Sequence, residues 1–447
     1  MTNSFNRRNW FILILFGLIG QIAWSVENMY FNLFVFDEIS KNLDAITLMV
    51  QLSGVCATLV TLVAGTLSDK LGNRRSFISI GYIIWGVTVA LFGFISPSLF
   101  KSLFGTSEAQ AVSIALAVVI VGDCVMTLFG SCANDAAFNA WVTDNTESSY
   151  RGKIESVLSI MPLASMLIVA GGFGILVSLL SYKIVFLILG IIIVLSGVLG
   201  LFFVKDKPTL TKSGSFKDIV YGFKPSTVKG NPSLYITLII VCIYGIACQT
   251  FMPYLIIYMK TELSFSVLEY SAVFAIAIIL GAAVNLFLGK LSDRLDKMKC
   301  MYVAGAIFSV GLFLMYLMKG MNKIPTLILF GIAGFVMIVG YIFISALSGA
   351  IVRDYTPEKE AGKLQGVRMI FSVLIPMLVG PAIGNLINSL KGKPLVDAGA
   401  DAMTTSFVPA PEIFLVASII SLLILAVIPI AIAVRKSSEK KNGTAAE

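Results

Sequence analysis

About twelve apolar stretches run through this chain, each long enough for the ~20 helical residues that cross a ~30 Å hydrocarbon layer. They cover 10–35, 44–67, 76–96, 110–134, 155–180, 183–204, 233–258, 267–289, 300–319, 324–350, 365–390 and 411–434. Composition agrees that lipid is the solvent. Of 447 residues, 57% are hydrophobic and only 13% charged, whereas soluble domains are about half apolar and a quarter charged; mean hydropathy is +0.92. The first stretch, after "NRRNW", is too long for a cleaved signal peptide and is expected to stay in the mature protein. Placing both termini in the cytoplasm puts 25 of the 33 Lys and Arg on that side, the excess that the positive-inside rule requires. The net charge of +8 therefore reads as topology, and no nucleic-acid partner is needed to explain it.

Several chemistries are argued against. There is no histidine, so imidazole cannot serve as metal ligand, base or proton relay. The cysteines Cys56, Cys124, Cys132, Cys242, Cys248 and Cys300 form no Cys-x-x-Cys pair and imply neither a disulfide framework nor a metal site. No convincing nucleophile–base pair and no Gly-x-x-x-x-Gly-Lys-Ser/Thr loop is present, which argues against an intramembrane enzyme and an ATP-driven pump. No resident cofactor is expected, and proton or ion chemistry must use carboxylates.

The chain is internally duplicated. "GTLSDKLGNRRSF" after the second stretch aligns Gly65, Ser68 and Asp69 with Gly289, Ser292 and Asp293 of "GKLSDRLDKMKCM" after the eighth. "WVTDNTESSYRGKIESV" after the fourth aligns Asp144, Thr146, Gly152, Lys153 and Val157 with Asp354, Thr356, Gly362, Lys363 and Val367 after the tenth. Such repeats predict an all-α membrane protein of two six-helix pseudo-symmetric halves. The first half is 1–204, a polar linker covers 205–232, the second half is 233–434, and 435–447 form a cytoplasmic tail.

"GTLSDKLGNRR" resembles the loop signature of the major facilitator superfamily, Gly-x-x-x-Asp-Arg/Lys-x-Gly-Arg/Lys-Arg/Lys. Asn73 replaces a usual basic residue, and Asp296 stands where Gly is usual in the second copy. "DYTPEKEAGKLQGVRMIFSVLIPMLVGPAIG" more narrowly resembles the glycoside-pentoside-hexuronide:cation symporters and the related sucrose transporters. The resemblance implies a secondary transporter, with solute near the bilayer midplane between halves that rock to alternate access. It also implies a conformational latch built from Gly65, Asp69, Arg74, Arg75, Asp293 and Arg294. In physical terms, Gly65 would let backbones approach, Asp69 would meet a helix N-terminus, and the arginines would pair with loop acids or lipid phosphates.

Intramembrane polar residues then carry the chemistry. Of 25 acidic residues, 13 are assigned to cytoplasmic loops or tails and 9 to external loops, which leaves Glu27, Asp123 and Asp135. A bare carboxylate at that depth costs ~2.5–3.5 kcal/mol, so it faces a cavity, a partner or an ion. All three are candidates for coupling to transported H⁺ or Na⁺, ranked Asp123, Glu27, Asp135, with Asp135 placed near the cytoplasmic edge.

Gln21, Trp24, Ser25, Asn28 and Asn32 recur at helical spacing, and Asp123, Thr127 and Asn134 share a face of the fourth stretch. Gln21, Trp24, Asn28, Thr127 and Asn134, with Tyr244, Gln249, Asn285 and Tyr341 from the second half, are the candidate solute contacts. Aromatic faces with amides and carboxylates suit a sugar or glycoside. The rival readings are a proton-driven exporter of amphiphilic compounds and, more distantly, a channel or lipid scramblase. The expected setting is a monomer in a bacterial plasma membrane.

Overall fold

The computed structural model describes residues 6–146, 151–206, 221–292, 294–318, 323–357, 361–395 and 406–443. Among them are twelve helices long and apolar enough to span a membrane. These are α1 (Arg7–Ile39), α2 (Leu43–Ser68), α3 (Arg74–Phe92), α4 (Glu108–Asn145), α5 (Val157–Leu180) and α6 (Tyr182–Phe203), then α7 (Pro232–Thr261), α8 (Val267–Ser292), α9 (Lys297–Leu317), α10 (Lys323–Tyr355), α11 (Leu364–Lys391) and α12 (Glu412–Ser437). Leu179, Phe287 and Ile324 each leave 74% of their surface bare, which water would penalise and lipid tails welcome.

The helix ends follow local chemistry. Asn42 caps α2 by accepting from the amides of Asp44 and Ala45. Gly72, at φ 64°, supplies the left-handed residue that stops that helix at Leu71. Asn73 caps α3, and Ser107 with Gln110 forms a capping box at the start of α4.

The chain divides into two compact units, Met1–Phe216 with Pro394–Phe407, and Lys217–Lys393 with Val408–Glu447. In the first, α3 and α6 come into backbone contact: a Cβ on Gly86 would sit 2.6 Å from the Gly190 carbonyl oxygen. In the second, α9 and α10 approach as closely, a Cβ on Gly340 falling 2.4 Å from the Phe308 nitrogen. Small residues at crossings replace the hydrophobic drive that lipid does not supply.

Three boundaries differ from the sequence reading. Helix α4 does not stop near 134 but continues to Asn145, which places Asp135 well inside it. The last helix continues to Gly443, so the expected tail begins within a helix. The described part of the linker is structured: Tyr221–Phe223 and Pro225–Gly230 form short helical turns, and the Tyr235 hydroxyl donates to the Gly222 carbonyl.

Several spans contain widened, π-type turns, at Glu27–Phe31 and Val35–Ile39 in α1, Ser131–Phe138 in α4, Val169–Phe173 in α5 and Ile370–Leu374 in α11. A π-type turn inserts an extra residue, rotating everything beyond it by ~100° relative to a regular helix.

Candidate functional site

Glu27 opens the first widened turn of α1. Its Oε1 accepts from Ser53 Oγ of α2 at 2.9 Å and from Thr127 Oγ1 of α4 at 3.1 Å. Those two hydroxyls are themselves 2.8 Å apart. Asp123 lies one turn before Thr127 on the same face of α4, within Coulombic range of Glu27. The residues are deeply enclosed, exposed by 8% at Glu27, 3% at Ser53, 2% at Asp123 and 0% at Thr127.

Two features make the cluster chemically incomplete. The three oxygens of Glu27, Ser53 and Thr127 make three mutual contacts, but the two hydroxyls supply only two hydrogens. In addition, Glu27 Oε2 and Asp123 Oδ1 are buried without a hydrogen-bond partner. Among the described residues no Lys or Arg forms an ion pair with either carboxyl. Buried acceptors left this way are costly.

Asp135 sits in a second cluster, on the widened turn Ser131–Phe138. Asn134 Nδ2 donates to its Oδ1 at 3.2 Å. Tyr82 of α3 donates to Asn134 Oδ1 at 2.9 Å and is within 2.8 Å of the Phe16 carbonyl of α1. A Cβ on Gly20 would lie 2.4 Å from Asn134 Oδ1, so α1 can pass here only because residue 20 has no side chain.

The predicted solute contacts separate into two groups. Gln21 and Trp24 are partly open and Asn28 is exposed; Asn28 Nδ2 donates to the Trp24 carbonyl. The Trp24 and Trp85 rings lie 5.0 Å apart. Ser25 is tied to Ser165 of α5 at 2.9 Å. Thr127 and Asn134, expected on a solute-facing stripe, are instead buried and bonded within the helix bundle. Asn32 is likewise buried, because the stripe from Gln21 crosses the widened turn at Glu27–Phe31 and loses its phase.

In the second unit the Tyr244 hydroxyl donates to the Tyr341 carbonyl at 3.1 Å, and the rings are 5.7 Å apart. Asn285 Nδ2 bonds the Gly281 and Val339 carbonyls. Gln249 is half-buried and lies against Gly380 of α11.

Of the predicted latch, Arg74 is buried and bridges Asp144 Oδ2 at 3.0 Å and Ser68 Oγ at 2.5 Å. Arg75 donates to the Leu201 carbonyl, and Arg294 is exposed. Gly65 does not mark a close approach, since a Cβ there would meet only Ala136 at 4.0 Å. The Asp69 side chain and Asp293 lie outside the described residues. Ser53 was missed, because a serine within an apolar helix carries no signal of its own.

The family model of the Major Facilitator Superfamily matches residues 13–381 and, in a second alignment, 237–447. The chain belongs to this superfamily. It is a membrane transporter rather than an enzyme, with the twelve-helix major facilitator fold. Solved structures share that fold at low identity. The nucleoside transporter NupG is 12% identical over 96% of this chain and 99% of its own, with TM-score 0.65. A bacterial homologue of the iron transporter ferroportin is 15% identical over 95% and 98%, with TM-score 0.62. A bacterial homologue of the human lysosomal transporter Spinster is 12% identical over 95% and 97%, with TM-score 0.65. No curated protein shows significant sequence similarity to the chain.

Proposed function

We propose that this transporter moves a small polyhydroxylated solute, a glycoside or oligosaccharide as in the glycoside-pentoside-hexuronide symporters, by proton symport with both termini in the cytoplasm. The observation that carries the coupling is the hydrogen deficit at Glu27, Ser53 and Thr127, beside the unpartnered oxygen of Asp123. One proton on Glu27 completes the ring of three contacts with no movement of heavy atoms. A metal ion would need the oxygens to spread toward coordination distances, which favours H⁺ over Na⁺. In this reading Glu27 and Asp123 share one transported proton, so they act as one unit. Within the first unit the partly open Trp24 and Gln21 and the exposed Asn28, and within the second the Tyr244–Tyr341 pair, each offer ring faces or amides of the kind a sugar uses.

The test is uptake into proteoliposomes with proton and Na⁺ gradients imposed separately. Glu27→Gln and Asp123→Asn are each expected to fold, to exchange solute across the membrane, and to abolish concentrative uptake. The double variant should be no worse than the more severe single one. Concentrative uptake driven by Na⁺ alone would overturn the proton assignment. Coupling that survives in both single variants would remove this cluster from the mechanism. A sugar screen without uptake, combined with proton-driven efflux of amphiphilic compounds, would support the exporter reading instead.

A further inference from the structure

A cavity of about 520 Å³ opens at one end of the first unit, where the ends of α1, α3 and α6 meet the short helix Pro97–Phe104. Its walls carry a cation and an anion, Lys183 and Glu38, together with the hydroxyls of Ser96, Ser98, Ser102 and Ser181. Among the described residues neither charge has an ion-pair partner. The Lys183 ammonium rests 4.6 Å from the Phe94 ring centroid.

Phe94 also lines a second hollow of about 380 Å³ between α3 and α6. That hollow is wholly apolar, lined by Val87, Ala90 and Leu91 on one side and by residues including Leu187, Ile191 and Leu195 on the other. It follows α6 from 187 to 195, about 12 Å of helix at 1.5 Å per residue.

The polar and the apolar hollow follow one another along α6, in the order of a phospholipid's headgroup and acyl chain. Lys183 is the second residue of span α6, and Phe94 lies just beyond the end of span α3, so the polar cavity is at headgroup level. The short helix Pro97–Phe104 joins two spans on the same face. It exposes Leu99, Leu103 and Phe104 while carrying Ser98, Lys101 and Ser102, the composition of a helix lying in the membrane interface. Ser181, on the cavity wall, has φ 78° and ψ 157°, a conformation nearly confined to glycine.

We infer that the first unit carries a specific site for a phospholipid with a zwitterionic, amine-bearing headgroup. Lys183, Ser181 and one hydroxyl of the Ser96–Ser98 pair receive its phosphate, Glu38 its ammonium, and one acyl chain lies in the groove between α3 and α6. A lone phosphate would make no use of the exposed Glu38, and a soluble zwitterion would leave the groove open to lipid tails. The occupant that uses both hollows is the intact lipid.

Native mass spectrometry of the purified full chain, titrated with phosphatidylethanolamine, phosphatidylglycerol or glycerophosphoethanolamine, tests this. Phosphatidylethanolamine is expected to be retained more strongly than phosphatidylglycerol. Lys183→Ala should weaken it about tenfold, the loss of one charge-assisted contact. Glu38→Gln should erase the preference between the two lipids. Leu91→Trp, which fills the groove from an exposed position, should weaken both lipids, and glycerophosphoethanolamine should not bind. Equal retention of the two lipids by the unaltered protein would overturn the inference. So would displacement of lipid by glycerophosphoethanolamine at comparable concentration, or unchanged lipid retention in monodisperse Lys183→Ala and Leu91→Trp. None of these outcomes depends on transport, so they are independent of the coupling experiment.

Discussion

In the first half, the loop after α2 is anchored by Arg74, which is 4% exposed and joined to Asp144. Asp206, arriving from the end of α6, accepts from the backbone amides of Arg74 and Arg75 at 2.9 and 3.0 Å. In the second half, the position of Arg74 is taken by buried Met298. The cation there has moved one residue, to the more open Lys297, which pairs with Asp354 at 2.6 Å. The capping carboxylate has moved as well: Asp296, within the loop, accepts from the amides of Met298 and Lys299. The last helix of this half supplies a cation, Arg435, that grips Asp296 at 3.1 and 2.5 Å. Each half ties the same loop to the end of its last helix, but the first half uses an acid, Asp206, just after α6 and the second a base, Arg435, within α12. Asp296 therefore marks a rewired copy of the signature, not a decayed one.

The copies are expected to differ most in the cost of losing their cation. Arg74→Ala leaves the Asp144 carboxylate and the Ser68 hydroxyl without their buried partner and should lower stability by about 3 kcal/mol, read as a large drop in Tm of the purified protein. A loss no greater than that of Lys297→Ala would break the distinction between a buried and a surface anchor.

The Asp296–Arg435 pair comes second. Asn caps a helix about as well as Asp, whereas Ala costs about 1 kcal/mol. Asp296→Asn should therefore isolate the ion pair, and Asp296→Ala should lose the pair and the cap together. The Arg435 guanidinium holds the Asp296 carboxyl below its ordinary value. The sign follows: the pair's contribution is complete above the unfolded carboxylate value of about 3.9 and fades as pH falls through the lower folded value. The gap in Tm between the unaltered protein and Arg435→Gln should thus be constant near neutrality and narrow only in acid below about pH 4. A gap that closes between pH 6 and 8 would show that another group controls it.

The smallest effect is expected at Lys297→Ala, at or below about 1 kcal/mol, because solvent screens that pair. A measured cost near that of Arg74→Ala would mean that the two loops are equally buried in lipid, which would sharpen the symmetry rather than the contrast.

Parts of the candidate site were legible one residue at a time. Glu27, Asp123 and Asp135 stood out because carboxylates are rare in apolar stretches. Their grouping was not legible: Thr127 is 100 residues from Glu27 in the chain, and Ser53 looks like any small hydroxyl in a span. Regular helical spacing did not reveal that Asn32 and Asn134 are buried, at or just beyond widened turns that rotate the helix surface. The end of the fourth helix was misread for a related reason, since the polar sequence "NDAAFNAWVTDN" looks like a helix end although α4 continues through it.

The sequence by itself determined the twelve spans, the duplication and the presence of three carboxylates in or beside apolar stretches. Span length and charge are local quantities, judged by a hydrocarbon layer of fixed thickness. Only the tertiary structure decided that Glu27 and Asp123 form one unit with Ser53 and Thr127, that Arg74 is buried while Lys297 is not, and that α3 and α6 leave an apolar groove beneath Lys183. Those outcomes depend on which helix faces meet. Facing is set by phase shifts at widened turns and by glycine contacts between helices, neither of which leaves a reliable periodic mark in the chain.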